Sequence, residues 1–252
     1  MKTVYFIGAG PGDPELLTLK GRRLLDEADV IVYAGSLVNK KLLDGTTAQL
    51  YDSAGMTLEE IVKVLSDASR SGKLAVRLHS GDTSIFSAVS EQSAALAKDG
   101  IQCQMVPGVS SLGAGAAALG QELTIPEVSQ SVIITRMAGR TPVPDAESVR
   151  SFAAHRATMA IFLSVDMIDA LALELVGGGY SKSTPAAVVE KASRPDERVV
   201  RGTLSTIAKK VQEAGIRKTA IVYVGDALKA SSKGLPKKSK LYDKDFKHGS
   251  RK

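Results

Sequence analysis

With 252 residues, 44% of them hydrophobic, the chain can bury the core of one large or two modest domains. No apolar run approaches the ~20 residues that span a bilayer. The single cysteine, Cys103, excludes an internal disulfide, and His79, His155 and His248 are too scattered to form a metal site. The net charge of +6 invites a nucleic-acid reading, but residues 229–252 hold nine Lys and Arg against Asp243 and Asp245, so the basicity belongs to the tail. With aromatics at 4% and no tryptophan, a basic face interleaved with stacking rings is absent, and neither nucleic acid nor membrane is an expected partner. Met1-Lys2-Thr3 leads straight into a strand rather than a signal peptide, which makes the cytoplasm the expected compartment.

In chain order, Val4–Ile7 reads as a buried strand and Pro14–Ala28, with Leu16, Leu17, Leu19, Leu24 and Leu25, as an amphipathic helix. Asp29–Tyr33 is a second buried strand, followed by the loop Ala34–Val38. Thr57 caps a helix to Ala68, with Glu60 completing the box, and Ser71-Gly72 stops it. Leu74–Leu78 is a strand, Ser84–Lys98 a helix ended by Gly100, and Ile101–Val106 a strand. The Gly- and Ala-rich run Ser110–Gly120 suits a helix that approaches another backbone closely. Leu123-Thr124-Ile125-Pro126 breaks the pattern and marks a domain boundary at 122/123. Beyond it lie strands at Ser131–Thr135, Thr158–Leu163, Ala186–Val189 and Thr219–Val224, with Arg198–Gly202 a short antiparallel one. Helices are expected at Glu147–Ala154, Met167–Val176 and Thr203–Ala214. Such alternation means α/β architecture with a parallel sheet. Residues 229–238 read as a Lys, Ser and Gly rich linker, and 239–252, with Leu241, Tyr242 and Phe246, as a segment that anchors back on the body.

The stretch that organises the chain is Val76–Phe86, an apolar strand running into Ser80-Gly81-Asp82. Gly81 has no Cβ to hold a ligand away from the main chain, and Asp82 and Ser84 are placed to cap the next helix or accept from ligand hydroxyls. Similar turns follow two other strands, at Gly8–Pro14 and Pro107–Ser111. Ligands of open α/β sheets sit outside the carboxyl ends of the strands, so three such turns would line one crevice. Gly8-x-Gly10-x-Gly12 fails as a dinucleotide fingerprint: its third glycine comes one residue early, Pro11 and Pro14 interrupt the turn, and no acid ends the second strand.

The three turns Gly8-Ala9-Gly10-Pro11-Gly12-Asp13-Pro14, Ser80-Gly81-Asp82-Thr83-Ser84-Ile85-Phe86 and Pro107-Gly108-Val109-Ser110-Ser111 resemble the signature turns of the tetrapyrrole (corrin/porphyrin) methylases. Val32–Val38, Leu123–Gln130, the Thr135–Pro144 loop with its Arg140-Thr141-Pro142-Val143-Pro144, and Ser239–Gly249 are similar to the branch of that family that methylates carbon 11 of precorrin-4 or its cobalt form. The resemblance implies a two-domain fold, with a mostly parallel sheet in residues 1–122 and a mixed sheet in 123–252. It also implies a homodimer and S-adenosylmethionine as methyl donor. Carried over by position, the donor contacts are Pro11, Ser80, Gly81, Asp82, Ile85, Ser110, Ser111, Leu163 and Ala192. Two positions depart from the family pattern: Thr83 stands where proline is usual and Ser87 where glycine is usual.

Methyl transfer to an electron-rich ring carbon needs alignment and a dry site more than a nucleophile or metal. A ring bearing acetates and propionates calls for cations, and Arg77, Arg136, Arg140, Lys191 and Arg194 lie near strand ends. Tyr33, Ser36 and His79 are candidates to position the ring or manage a proton. Three rivals remain: a sister methylase with another ring-carbon specificity, a diphthine-synthase type disfavoured by the Arg140–Pro144 segment, and a non-catalytic tetrapyrrole- or nucleic-acid-binding protein that uses the basic tail.

Overall fold

The computed structural model describes residues 1–229; apart from Lys229, the linker expected at 229–238 lies outside the described residues, as does the anchored segment expected at 239–252. The described chain forms two compact units. The first is Met1–Ala114 with Lys191–Asp196, and the second is Gly115–Glu190 with the described residues from Glu197 onward. The division thus falls inside a helix rather than at 122/123, and a short segment late in the sequence returns to the first unit.

In the first unit, β1 (Val4–Gly8), β2 (Val30–Tyr33), β3 (Gln49–Asp52), β4 (Ala75–His79) and β5 (Cys103–Val106) form an all-parallel sheet of order β3-β2-β4-β1-β5. Its central strands read as continuous apolar runs because both faces are covered. Ile7, Ile31, Val76 and Leu78 pack with Leu24 and Leu25 of α1 (Leu19–Asp26) on one face. Val4, Phe6, Val30 and Val32 pack with α2 (Leu58–Arg70) and α3 (Val89–Lys98) on the other. The register sets Gly8 opposite His79 and Ile7 opposite Val106, so the turns after β1, β4 and β5 start level with one another.

The helix expected over Pro14–Ala28 is divided. Asp13 caps a short 3-10 turn at Pro14–Leu16, and Thr18 Oγ1 then accepts from Gly21 N at 3.1 Å to start α1. The capping box at Thr57 and Glu60 forms as its residues require. β3 escapes sequence reading because it is an edge strand with no buried residue to create a pattern. α3 starts at Val89 rather than Ser84. Phe86 and Ala88 take φ values of 49° and 54°, which no right-handed helix admits, and the hydroxyl of Ser87 ties back to the carbonyl of Thr83.

In the second unit, β6 (Val132–Arg136), β7 (Thr158–Phe162), β8 (Pro185–Glu190), β9 (Arg198–Thr203) and β10 (Ala220–Val224) make a mixed sheet of order β6-β7-β10-β8-β9 in which only β6 and β7 are parallel. Met159, Ile161, Val188 and Val222 meet Leu171 and Leu175 of α6 (Ile168–Gly177) and Val211 of α7 (Ile207–Glu213), with Val149 of α5 (Val149–Ala153) at the edge. The Gly- and Ala-rich helix α4 is Ser111–Ala118. A Cβ on its Gly115 would lie 2.2 Å from the Tyr223 hydroxyl, the close approach that its composition suits.

Candidate functional site

At the carboxyl ends of β1, β4 and β5 the three glycine turns are built into one another. Gly10 and Gly81 exchange backbone hydrogen bonds, at 3.2 Å from Gly10 N and 2.8 Å from Gly81 N, and Ala9 N donates to His79 O at 2.7 Å. A Cβ on Gly8 would stand 2.6 Å from Gly81 O and 2.7 Å from Gly108 N, and one on Gly108 2.3 Å from Gly81 O. Gly8 and Gly108 are therefore required by the packing of turn on turn.

Gly81 differs. Its φ is +62° and the nearest atom to an added Cβ is Ser111 N at 3.7 Å, an ordinary contact, so packing against the neighbouring turns does not require this glycine although the residue is buried. Asp82 does not cap α3 as the sequence suggests. Its carboxylate accepts from Gly108 N at 2.9 Å and from Ser84 N at 2.8 Å, pinning the β4 turn to the β5 turn. Burial pushes this carboxyl up, but hydrogen bonds from the Ser84 hydroxyl and from the Gly108, Ser84 and Thr83 amides outweigh it and hold it below the usual range.

The expected donor residues of the first unit gather here. Ser80, Gly81, Asp82 and Ile85 follow β4; Ser110 and Ser111 open α4, where Ser110 Oγ accepts from Leu112 N at 3.2 Å; and Pro11 lies in the β1 turn. Ala192, itself buried, precedes Ser193, whose hydroxyl accepts from Asp13 N at 3.0 Å. Lys191 and Ser193 take φ values of 51° and 64°, strained conformations of the kind that concentrate at functional sites and that no residue type announced.

In the second unit, Leu163 follows β7 with φ 53° and 66% exposure. The next residue, Ser164, is fully buried; it donates to Phe162 O at 2.6 Å and accepts from Met137 N at 2.9 Å, tying the ends of β6 and β7 together. Sequence reading missed this serine. The loop it supports carries Arg136 and Arg140. Arg136, expected to meet substrate, donates instead to the carbonyls of Met137, Thr141 and Pro142 at 3.2, 3.2 and 2.7 Å, and so braces its own loop. Arg140 is exposed on that loop, and no acidic side chain pairs with it among the described residues.

Three other candidates are corrected by their surroundings. Arg77 is buried, with Nε donating to Gln92 Oε1 at 3.0 Å and Nη1 to Val32 O at 3.2 Å; burial draws it down to about 10. Lys191 pairs with Asp196 at 2.5 Å. His79 is 5% exposed and stacks on Phe6 at a ring separation of 5.9 Å, so its side chain belongs to the core rather than to a ring-binding surface. Tyr33 is likewise mostly buried at the end of β2, while Ser36 is exposed in the loop that follows.

Burial, with the Arg77 charge beside it, draws the His79 pKa down to about 3. In the unfolded chain it returns to near 6.5, so below that pH the unfolded state binds a proton that the folded state refuses, and stability falls as pH is lowered toward 3. Between pH 7 and 5 the expected loss is about 2 kcal/mol. Urea unfolding of the wild type and of His79→Gln at both pH values measures it; equal pH dependence in the two proteins would show that His79 is not the group responsible.

Parallel strands with glycine turns at one end and a second unit carrying a mixed sheet define a class. Residues 3–208 match the Tetrapyrrole (Corrin/Porphyrin) Methylases, and the chain belongs to that family. It is 54% identical to the cobalt-precorrin-4 C(11)-methyltransferase of Methanocaldococcus jannaschii, covering 100% of this chain and 96% of the relative. It is 47% identical to the precorrin-4 C(11)-methyltransferase of Pseudomonas aeruginosa, covering 98% and 97%. Among solved structures, a cobalt precorrin-4 methyltransferase described as a cobalamin biosynthetic enzyme superposes with a TM-score of 0.87 at 45% identity, covering 90% of this chain and 95% of that one.

Proposed function

We propose that the protein methylates carbon 11 of precorrin-4 or cobalt-precorrin-4, with S-adenosylmethionine as donor, in cobalamin biosynthesis. The observation that carries the reading is the set of interlocked turns in which a Cβ on Gly81 would meet only Ser111 N, in a chain matching C(11)-methyltransferases over its whole length. A uroporphyrin-III C-methyltransferase from Thermus thermophilus, 32% identical with a TM-score of 0.77 over 90% of this chain and 93% of that one, was solved with S-adenosylhomocysteine.

The residues present fit such a donor. Gly81 has no Cβ, and the amide of Ser111 lies 3.7 Å from where one would stand, at the start of α4. Pro11, Asp82, Ile85, Leu163 and Ala192 are assigned to the same donor. When bound, S-adenosylmethionine supplies an electrophilic methyl group on a sulfonium. The chain's part is to hold donor and ring in line and keep water away, for which no nucleophilic side chain is required. Ser36 and Arg140 are assigned to the ring, with Arg136 holding the Arg140 loop in shape. A homodimer in the cytoplasm accompanies this reading, and light scattering on the purified protein checks the dimer.

Incubation of precorrin-4 and of its cobalt form with the protein and S-adenosylmethionine tests the proposal by mass: one added methyl group is expected, and none on either form would refute it. Arg140→Ala is expected to weaken tetrapyrrole binding about tenfold, since a charge-assisted carboxylate contact contributes roughly 1.5–3 kcal/mol. It should lower kcat as well, by letting the ring leave its alignment, and leave donor affinity alone. Unchanged tetrapyrrole kinetics in Arg140→Ala would remove this loop from the site.

A further inference from the structure

The third glycine of the first turn, Gly12, has no positive φ to explain it. What occupies the space of its missing side chain is Arg194: a Cβ on Gly12 would lie 2.3 Å from Arg194 Cγ, 3.0 Å from Nε and 3.2 Å from Cδ. From that seat Arg194 Nη2 donates to the carbonyl of Leu37 in the loop after β2. Its Nε is buried with no acceptor, so this is not a cation left in solvent. Two further contacts converge on the same point. Asn39 Nδ2 donates to Gly12 O at 2.7 Å, and Asp13 N donates to Ser193 Oγ at 3.0 Å. The segment that brings Arg194 there is stiffened by the Arg194 N to Lys191 O bond at 3.0 Å and by the Lys191 to Asp196 ion pair.

We propose that Arg194 is a positioning residue for methyl transfer: it locks the turn Gly8–Pro14 to the loop Ala34–Asn39 instead of meeting a substrate carboxylate. The inference rests on the reading that places the donor against the first turn and the ring against the loop after Tyr33. Leu37 N and Val38 N both close onto Ala34 O at 3.0 Å, so the loop is a compact turn, and its Leu37 carbonyl is the handle that Arg194 holds. With Arg194 removed, the Asn39 and Ser193 contacts still hold the turn, so the fold persists. The Leu37 part of the loop, then tied to the first turn only through Asn39, can shift relative to the donor turn, and a misplacement of ~1 Å is enough to cost about 100-fold in rate.

The test is steady-state kinetics of Arg194→Ala, Arg194→Lys and Gly12→Ala, with S-adenosylhomocysteine titrated by calorimetry. Arg194→Ala is expected to lower kcat by about 10- to 100-fold while KM and the S-adenosylhomocysteine Kd change by less than about threefold. Arg194→Lys keeps the aliphatic stem on Gly12 and one donor for Leu37, and should recover most of kcat. Gly12→Ala displaces the stem and should reproduce the loss, with the double variant no worse than Arg194→Ala. A raised tetrapyrrole KM at normal kcat would make Arg194 a substrate cation and overturn the proposal. So would a loss of kcat and donor affinity together that lysine does not repair, which is the mark of general damage. A wild type that methylates while Arg194→Ala matches it overturns this proposal alone; a wild type that binds no S-adenosylhomocysteine overturns the functional reading and this proposal with it.

Discussion

Gly81→Val is expected to abolish donor binding while leaving the protein folded. Gly81 sits at φ +62°, and a Cβ there meets no protein atom closer than Ser111 N at 3.7 Å, an ordinary contact. The cost to folding is the strain of a β-branched residue in the left-handed region, roughly 1–2 kcal/mol. The cost to binding is larger, because two methyl groups would occupy the backbone surface assigned to the donor; the expected weakening is about 100-fold or more. Calorimetric titration of S-adenosylhomocysteine into folded Gly81→Val decides the matter, and a normal isotherm would place the donor elsewhere. Gly108→Ala makes the instructive contrast. Its Cβ would collide with Gly81 O at 2.3 Å, so that variant should lose stability and binding together as the two turns are forced apart.

Asp82→Ala should produce the second large effect, by a different route. The carboxylate bridges two turns through Gly108 N and Ser84 N, and its removal leaves two amides without their acceptor. Hydrogen bonds to a charged group are worth about 1.5–3 kcal/mol each, and the half-exposed setting lets water replace part of that. The net expectation is a loss of about 2–3 kcal/mol, or a Tm lowered by roughly 5–10 °C, together with weaker donor binding as the turn loosens. Asp82→Asn retains a carbonyl acceptor and should fall between. Thermal unfolding and calorimetry of the two variants measure both consequences. An Asp82→Ala protein as stable as the wild type would show that the Gly10–Gly81 bridge alone sets the turn.

The parts of this architecture visible in the sequence are those written in residue types with a single conformational use. The three glycine turns, the Thr57 and Glu60 capping box and the Gly115 approach were legible because glycine, proline and capping side chains announce their geometry. The direction of individual side chains was not. Arg77 and His79 are two residues apart on β4 and share a face, but a parallel strand covered on both sides has no polar face to betray which way that is. Both read as site residues in sequence and both are buried. Arg136 and Arg194 resemble free cations in sequence, yet each donates to backbone carbonyls that only the folded loops bring near. Leu163, Lys191 and Ser193 adopt positive φ without being glycine, a strain imposed by their surroundings that leaves no compositional trace. In sequence Asp82 reads as a helix cap or an acceptor from ligand hydroxyls, because the turn chemistry is the same. Its second partner, Gly108, lies across the sheet.

As a C(11)-methyltransferase, the protein places a methyl group on one ring carbon only. Incubating precorrin-4 or cobalt-precorrin-4 with S-adenosylmethionine carrying a carbon-13 methyl group, and locating the label in the product by NMR, tests it most directly. One labelled methyl attached to carbon 11 is the expected result; label at another ring carbon, or an unlabelled tetrapyrrole recovered from a protein that binds S-adenosylhomocysteine, would contradict the C(11) assignment.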